Sequence, residues 1–205
     1  MRYAKSKKLF RSGLSPAAAA LIAAAFLLGF YAGGRQGTPA VPVSAGGGTR
    51  TENVQYYFPR AGQKAQPQLI GIINSAERSL DIAIYSFTDG DVADAVERAK
   101  KRGVAVRLIT DRQQAAGQYQ RGLLKQLAGD GIPIKMDSHS GIMHLKVTVA
   151  DGKVATTGSF NYTKSAETAN DEVFVVLRDE KAAADFEAEF SRMWGDAQDY
   201  ADYGG

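Results

Sequence analysis

The stretch HLKVTVADGKVATTGSFN, residues 144–161, collects a histidine, a lysine, a serine and an asparagine in one short segment. Phosphodiester chemistry uses these residue types. Hydrolysis needs a group that attacks phosphorus in line, a group that protonates the leaving oxygen, and donors that neutralise the equatorial oxygens. Neutral His144 is a nucleophile and its protonated form an acid near neutral pH. Lys146 supplies a point charge, and Ser159 and Asn161 supply hydrogen-bond donors. Such a scheme calls for no metal and no cofactor.

One imidazole cannot act on both sides of the same phosphorus in one step, so a second is required. The chain contains only His139 and His144. His139 stands in MDSHSG, a Ser/Gly loop in which a histidine is ordinarily just solvated. The other solution is a homodimer whose two-fold axis brings two copies of His144 to one phosphate. Asp137, His139 and His144 together match no metal-ligand spacing, and no metal site is expected.

The elements that must position these groups follow from the alternation of the same stretch. Leu145, Val147 and Val149 alternate with His144, Lys146 and Thr148, which predicts a half-buried strand. Asp151-Gly152 suits the two positive φ angles of a type I′ turn, and residues 153–157 read as the returning strand. Placing Ala150 opposite Lys153 sets Val149 against Val154, Val147 against Thr156, Lys146 against Thr157 and His144 against Ser159, with opposed Cβ atoms roughly 5 Å apart. One face is then apolar, and the other gathers His144, Lys146, Ser159 and Asn161. Gly158, without a Cβ, would let an anion approach the backbone beside Ser159. A solvated hairpin face explains any one of these residues alone; their joint spacing argues against it.

His144-x-Lys146, then Asp151, then Gly158-Ser159-x-Asn161 resembles the HKD signature of the phospholipase D superfamily. Glu172, in AETANDEVFVV, resembles the acidic residue those proteins carry after the motif. GSFNYTKSAET is similar to the small bacterial endonucleases that hold one motif per chain, and the likeness extends over residues 53–195. It implies a phospholipase D-like fold, a homodimer sharing one site, a phosphohistidine intermediate and a catalytic set of His144, Lys146, Ser159, Asn161, Glu172 and Asp151. Glu172 is expected to orient an imidazole. Asp151, at the turn tip in the register above, is expected to serve the turn, which departs from a simple catalytic reading of that position.

Arg2, Lys5, Lys7, Lys8 and Arg11 precede an apolar run over residues 17–32, and TPAVPVSAGGGT follows at 38–49. Residues 1–45 therefore read as a signal peptide, with Val43-Ser44-Ala45 as a cleavage site, or as an N-terminal membrane anchor with a Pro/Gly linker. Residues 46–205 form the working domain. The expected location is exported, periplasmic or secreted, with a membrane-anchored form facing the periplasm as the alternative. Six of the 25 lysines and arginines lie in residues 1–45 and no acid does, leaving 19 basic against 22 acidic residues in the remainder. The sequence pI of 9.0 is thus no argument for nucleic-acid binding. An electropositive groove has to come from local placement of residues such as Arg98, Lys100, Lys101, Arg102, Arg107, Arg112 and Lys164. Cysteine is absent, which excludes disulfides and thiolate metal sites.

Along the working domain, VQYYF (54–58), LDIAIYSF (80–87), VAVRLIT (104–110), IPIKM (132–136) and EVFVVLR (172–178) read as strands. Helices are expected where Leu69, Ile72, Ile73 and Ala76 recur, behind Asp89 or Asp91 with the stripe Val92, Ala95, Val96 and Ala99, around residues 121–127, and where Phe186, Phe190, Met193 and Trp194 share a side. Tyr56, Tyr57, Tyr85 and Phe87 are core candidates that could instead stack on bases, and Arg112 follows a strand where α/β proteins place ligand loops. The fold class is α/β, a mixed β-sheet sandwiched between helices with one motif per chain. The leading function is a metal-independent phosphodiesterase, a nonspecific endonuclease on DNA with RNA as a further substrate. Cleavage of lipid phosphodiesters and a catalytically idle phosphate-backbone binder are the alternatives.

Overall fold

The computed structural model describes residues 49–204, so the expected leader, cleavage site and linker over residues 1–45 lie outside the described residues. In chain order the elements are β1 (Thr49–Thr51), β2 (Val54–Tyr57), a 3-10 turn (Pro59–Ala61), α1 (Ala65–Ser75), β3 (Ser79–Ile84), α2 (Gly90–Lys101), β4 (Ala105–Thr110) and α3 (Arg112–Ala116). They continue with α4 (Gln118–Gly129), β5 (Ile134–Asp137), β6 (Lys146–Ala150), β7 (Val154–Gly158), α5 (Lys164–Thr168), β8 (Phe174–Leu177), α6 (Glu180–Gly195) and β9 (Tyr200–Asp202). The strands form one mixed sheet in the order β1-β2-β8-β7-β6-β3-β4-β5-β9. Only the β3–β4 and β4–β5 pairs are parallel.

The near-continuous apolar run of β3 reflects its place in the middle of this sheet, covered on both faces. On one face Leu80, Ile82 and Ile84 meet Leu69 and Ile73 of α1, Val92 and Val96 of α2, and Leu124 and Leu127 of α4. On the other, Ala83, Ile109, Val147 and Val149 meet Ala183, Phe190 and Met193 of α6. Each such Leu, Ile, Val or Phe contributes about 1.5–3 kcal/mol by leaving water. Local signals start the helices: the Asp89 carboxylate accepts the amides of Asp91 and Val92, and that of Asp179 accepts the amide of Ala182. The mixed sheet between two helical layers is the expected architecture; β1, β9, α3 and α5 were not legible in the sequence because they are short.

The hairpin differs from expectation in register. Asp151 and Gly152 do take positive φ, 56° and 64°, and the Lys153 amide donates to the Ala150 carbonyl at 3.0 Å. Lys153 then stays unpaired as a one-residue bulge, so Ala150 lies opposite Val154, Val149 opposite Ala155 and Thr148 opposite Thr156. Nor is β6 half-buried. All five of its residues are buried, Lys146 and Thr148 included, because α6 covers one face and the larger core the other. Polar alternation here therefore marks groups satisfied inside the protein: Thr148 shares a hydrogen bond with the buried Tyr162 hydroxyl.

Candidate active site

Six elements deliver their ends to one edge of the sheet. The C-terminal ends of β3, β4 and β5 point the same way, β6 begins beside the end of β3 with Lys146 opposite Ile84, and Gly158 at the end of β7 lies opposite Phe174 at the start of β8. His144, Lys146, Ser159, Asn161 and Glu172 all fall at this edge.

His144 is exposed just before β6, its ring 4.5 Å from that of Tyr85. Lys146 is 6% exposed, and its ammonium donates to the His144 carbonyl at 2.8 Å while lying 5.0 Å over the Tyr85 ring. Burial lowers the Lys146 pKa, opposed by the negative charge of Glu172, and the net shift is downward. Tyr85 is therefore a floor for both groups and not the core residue its strand position suggested; Tyr57 and Phe87 are core. Gln114 of α3 holds the Tyr85 hydroxyl at 3.1 Å, a contact with no sequence signal because it joins the end of one β-strand to a helix beyond the next.

Across the edge, the Ser159 hydroxyl donates to Glu172 and accepts the Val173 amide at 3.1 Å, while Asn170 donates to the other Glu172 oxygen at 3.0 Å. Within one chain the Glu172 carboxylate is thus bonded to Ser159 and Asn170, whereas the sequence reading gave it to an imidazole. The Asn161 side-chain oxygen accepts the amide of Ser86, the residue after Tyr85, at 3.3 Å. A cavity of about 530 Å³ lined by Phe58, Arg60, Ser159 and Glu172 opens beside this cluster. Phe58 and Arg60 carried no signal, since they enter from the far end of the chain.

Asp151 is separated from the cluster by the length of β6. Its carboxylate accepts the amides of Glu77, Arg78 and Ser79 at 3.0, 2.7 and 3.0 Å, fastening the turn to the start of β3. Burial works to raise its pKa, but the bonds from Ser79, Glu77 and Arg78 and the Arg78 charge outweigh it, and the carboxyl sits below the ordinary aspartate value. Its inclusion in the catalytic set is corrected accordingly: geometry assigns it to the fold. Gly158 is corrected as well. It has φ 128°, and a Cβ there would stand 2.1 Å from the Val173 carbonyl oxygen, so the missing side chain accommodates β8 and not a ligand. His139 accepts the Gly141 amide through Nδ1 and sets its ring edge against Tyr200, apart from His144. Among the described residues no group of three or more His, Asp or Glu side chains is placed to hold a metal ion.

Exposed His144 and buried Lys146 meet the same Tyr85 ring, and Ser159 and Asn161 stand at the same sheet edge, a set of residue types suited to binding a tetrahedral phosphate. Residues 69–194, well over half of the chain, match the family described as "Cardiolipin synthase, PLD-like domain". A mitochondrial cardiolipin hydrolase of Chlamydomonas reinhardtii is 35% identical over 62% of this chain and 56% of that protein. The chain thus spans little more than half the length of that relative. Among solved structures, the phospholipase D family member Nuc from Salmonella typhimurium is 36% identical with a TM-score of 0.68, covering 74% of this chain and 98% of Nuc. NucT from Helicobacter pylori is 27% identical with a TM-score of 0.61, covering 69% of this chain and 94% of NucT. Fold and family match agree, and the chain belongs to the phospholipase D superfamily of phosphodiesterases, with a Nuc-like PLD domain.

Proposed function

We propose that the protein is a metal-independent phosphodiesterase that cuts DNA, and RNA as a further substrate, with little sequence preference and as a homodimer. The observation that carries this reading is that exposed His144 and buried Lys146 share the Tyr85 ring, with centroids 4.5 Å apart for the imidazole and the ammonium 5.0 Å from the ring centre. One ring nitrogen of His144 attacks phosphorus, the bond to the leaving oxygen breaks, and that oxygen takes a proton from His144 of a second copy. Water then attacks the phosphohistidine, giving its proton back to the second imidazole as the N–P bond breaks. Lys146, Asn161 and Ser159 hold the non-bridging oxygens, which carry the growing charge.

Plasmid nicking in excess EDTA, run beside His144→Ala, tests the chemistry. Cutting by the parent and a loss of at least about 10³-fold in the variant supports it. No cutting by the parent overturns it. Light scattering tests the dimer: full activity in a monomer would remove the two-histidine scheme. The leader-like residues 1–45 carry the export reading, which N-terminal sequencing of the mature protein checks.

A second reading, lipid phosphodiester cleavage, has its own support. Ile142 and Leu145, 52% and 39% exposed, flank His144 where an acyl region would lie, and the Chlamydomonas relative named above is a mitochondrial cardiolipin hydrolase. Release of phosphatidate from cardiolipin vesicles, with no nicking of DNA, would favour it. Tight phosphate-backbone binding with neither activity would identify an idle binder.

A further inference from the structure

We propose that a cavity between α3, α4 and the segment after β9 is a second phosphate subsite that holds the nucleic-acid backbone away from the scissile bond; this rests on the nuclease reading and extends it. Arg112, Arg121 and Lys125 line this cavity of about 270 Å³, with Met136 and Tyr203 as its apolar part. The three cations are exposed, and their side chains enter none of the ion pairs of the described residues. Arg121 and Lys125 stand four residues apart on one face of α4, where like charges repel. The α4 sequence QYQRGLLKQLAG contains no acid to offset them. Asp137, adjacent to Met136, is buried and its carboxylate takes the Arg112 amide at 2.6 Å. An anion in the cavity relieves a repulsion that the chain itself leaves standing.

Three of the other basic candidates are engaged elsewhere. Arg102 donates to the Ile73 and Ala76 carbonyls, Arg107 binds Asp81 and Glu187, and Lys101 pairs with Glu97 at the surface. The α3–α4 cavity keeps its cations free, and it is tied to the catalytic edge. Gln114, two residues after Arg112, holds the Tyr85 hydroxyl, and the Tyr85 ring carries His144. From β6 across β3 and β4 to β5 is three strand spacings, about 14 Å. A polyanion with regularly repeated phosphates reaches across that distance within a few nucleotides. Tyr203 adds an aromatic face for a base.

The test uses the full chain carrying His144→Ala, in EDTA, with a fluorescein-labelled single-stranded oligodeoxynucleotide read by anisotropy over a salt series. Arg121→Gln combined with Lys125→Gln should weaken binding about tenfold. It should also flatten the slope of log K against log salt by about 1.4, two lost contacts at about 0.7 each. Lys125→Glu should weaken binding while raising Tm, since it pairs with Arg121; this separates lost contact from damaged folding. Unchanged affinity and slope in both variants overturn the subsite. So does a loss that appears with cardiolipin vesicles and not with DNA. If the parent binds DNA with this salt dependence yet nicks no plasmid, the nuclease reading falls and the subsite stands.

Discussion

The ammonium of Lys146 reaches back to the carbonyl oxygen of His144, 2.8 Å away, so the charge that would bind phosphate also fixes the backbone that carries the imidazole. One residue holds both the ligand and its neighbour's position. Burial and the Glu172 charge pull the Lys146 pKa in opposite directions. Glu172→Gln should therefore lower it further, moving the basic limb of the kcat/KM profile to lower pH and costing about 10²-fold in rate. A basic limb that stays put would show that the two groups are not coupled.

Asp151→Ala should separate stability from chemistry. Three amides lose their acceptor, at a cost of about 1–3 kcal/mol. Because the folded-state pKa is depressed, the stabilisation is present above the ordinary aspartate value and is lost as pH falls through the depressed one. Denaturant melts at pH 7 should show the full deficit and melts in strong acid a smaller one, and kcat should stay within a few-fold of the parent.

Gly158→Ala should destabilise by more than about 2 kcal/mol, since the new methyl meets backbone that cannot swing aside. The β7–β8 pairing that brings Ser159 to Glu172 depends on this approach. A thermal melt unchanged by the substitution would mean that β8 sits further away than described.

Glu187 of α6 joins Asp81 and Arg107 in one charged cluster. Its Oε1 takes the Arg107 guanidinium at 3.0 Å, and Arg107 also binds Asp81 at 2.6 Å. Burial first, then the hydrogen bond and charge of Asp81, push the Glu187 pKa up to about 7 against the pull of Arg107. A raised carboxyl pKa gives stability that is complete below the ordinary value of 4.5 and is lost as pH rises through about 7. Glu187→Gln should thus stabilise at pH 8 by about 1 kcal/mol, discounted because the side chain is partly open to water. At pH 5 it should change little. Melts at the two pH values check this, and an equal effect at both would refute it.

Legibility in the sequence tracked physical scale. Long periodic segments such as α2 and α6 and the buried run of β3 announced themselves through burial patterns that repeat. The hairpin turn was legible too, because Asp-Gly has one dominant backbone solution. Its register was not: a single bulged residue, Lys153, changes every partner and leaves no compositional trace. The same holds for the site. The residue types gathered at this edge of the sheet were readable from spacing, whereas Tyr85 against His144, Gln114 behind Tyr85, and Phe58 and Arg60 beside Glu172 are brought in by tertiary structure alone. Thr148 was misjudged for a related reason, since alternation cannot distinguish a polar group facing water from one facing a buried tyrosine hydroxyl.

Strand β6 lies fifth of nine in the sheet, with neighbours on both edges and helices or core on both faces. The amides beneath the phosphate cradle can therefore exchange with solvent only when the whole domain unfolds, while β1 and β9 at the margins open locally. Turnover can proceed with frayed edges. The protein should keep the β6 floor beneath His144 intact under heat or denaturant until the cooperative transition itself, so the protection of these amides and global structure disappear together.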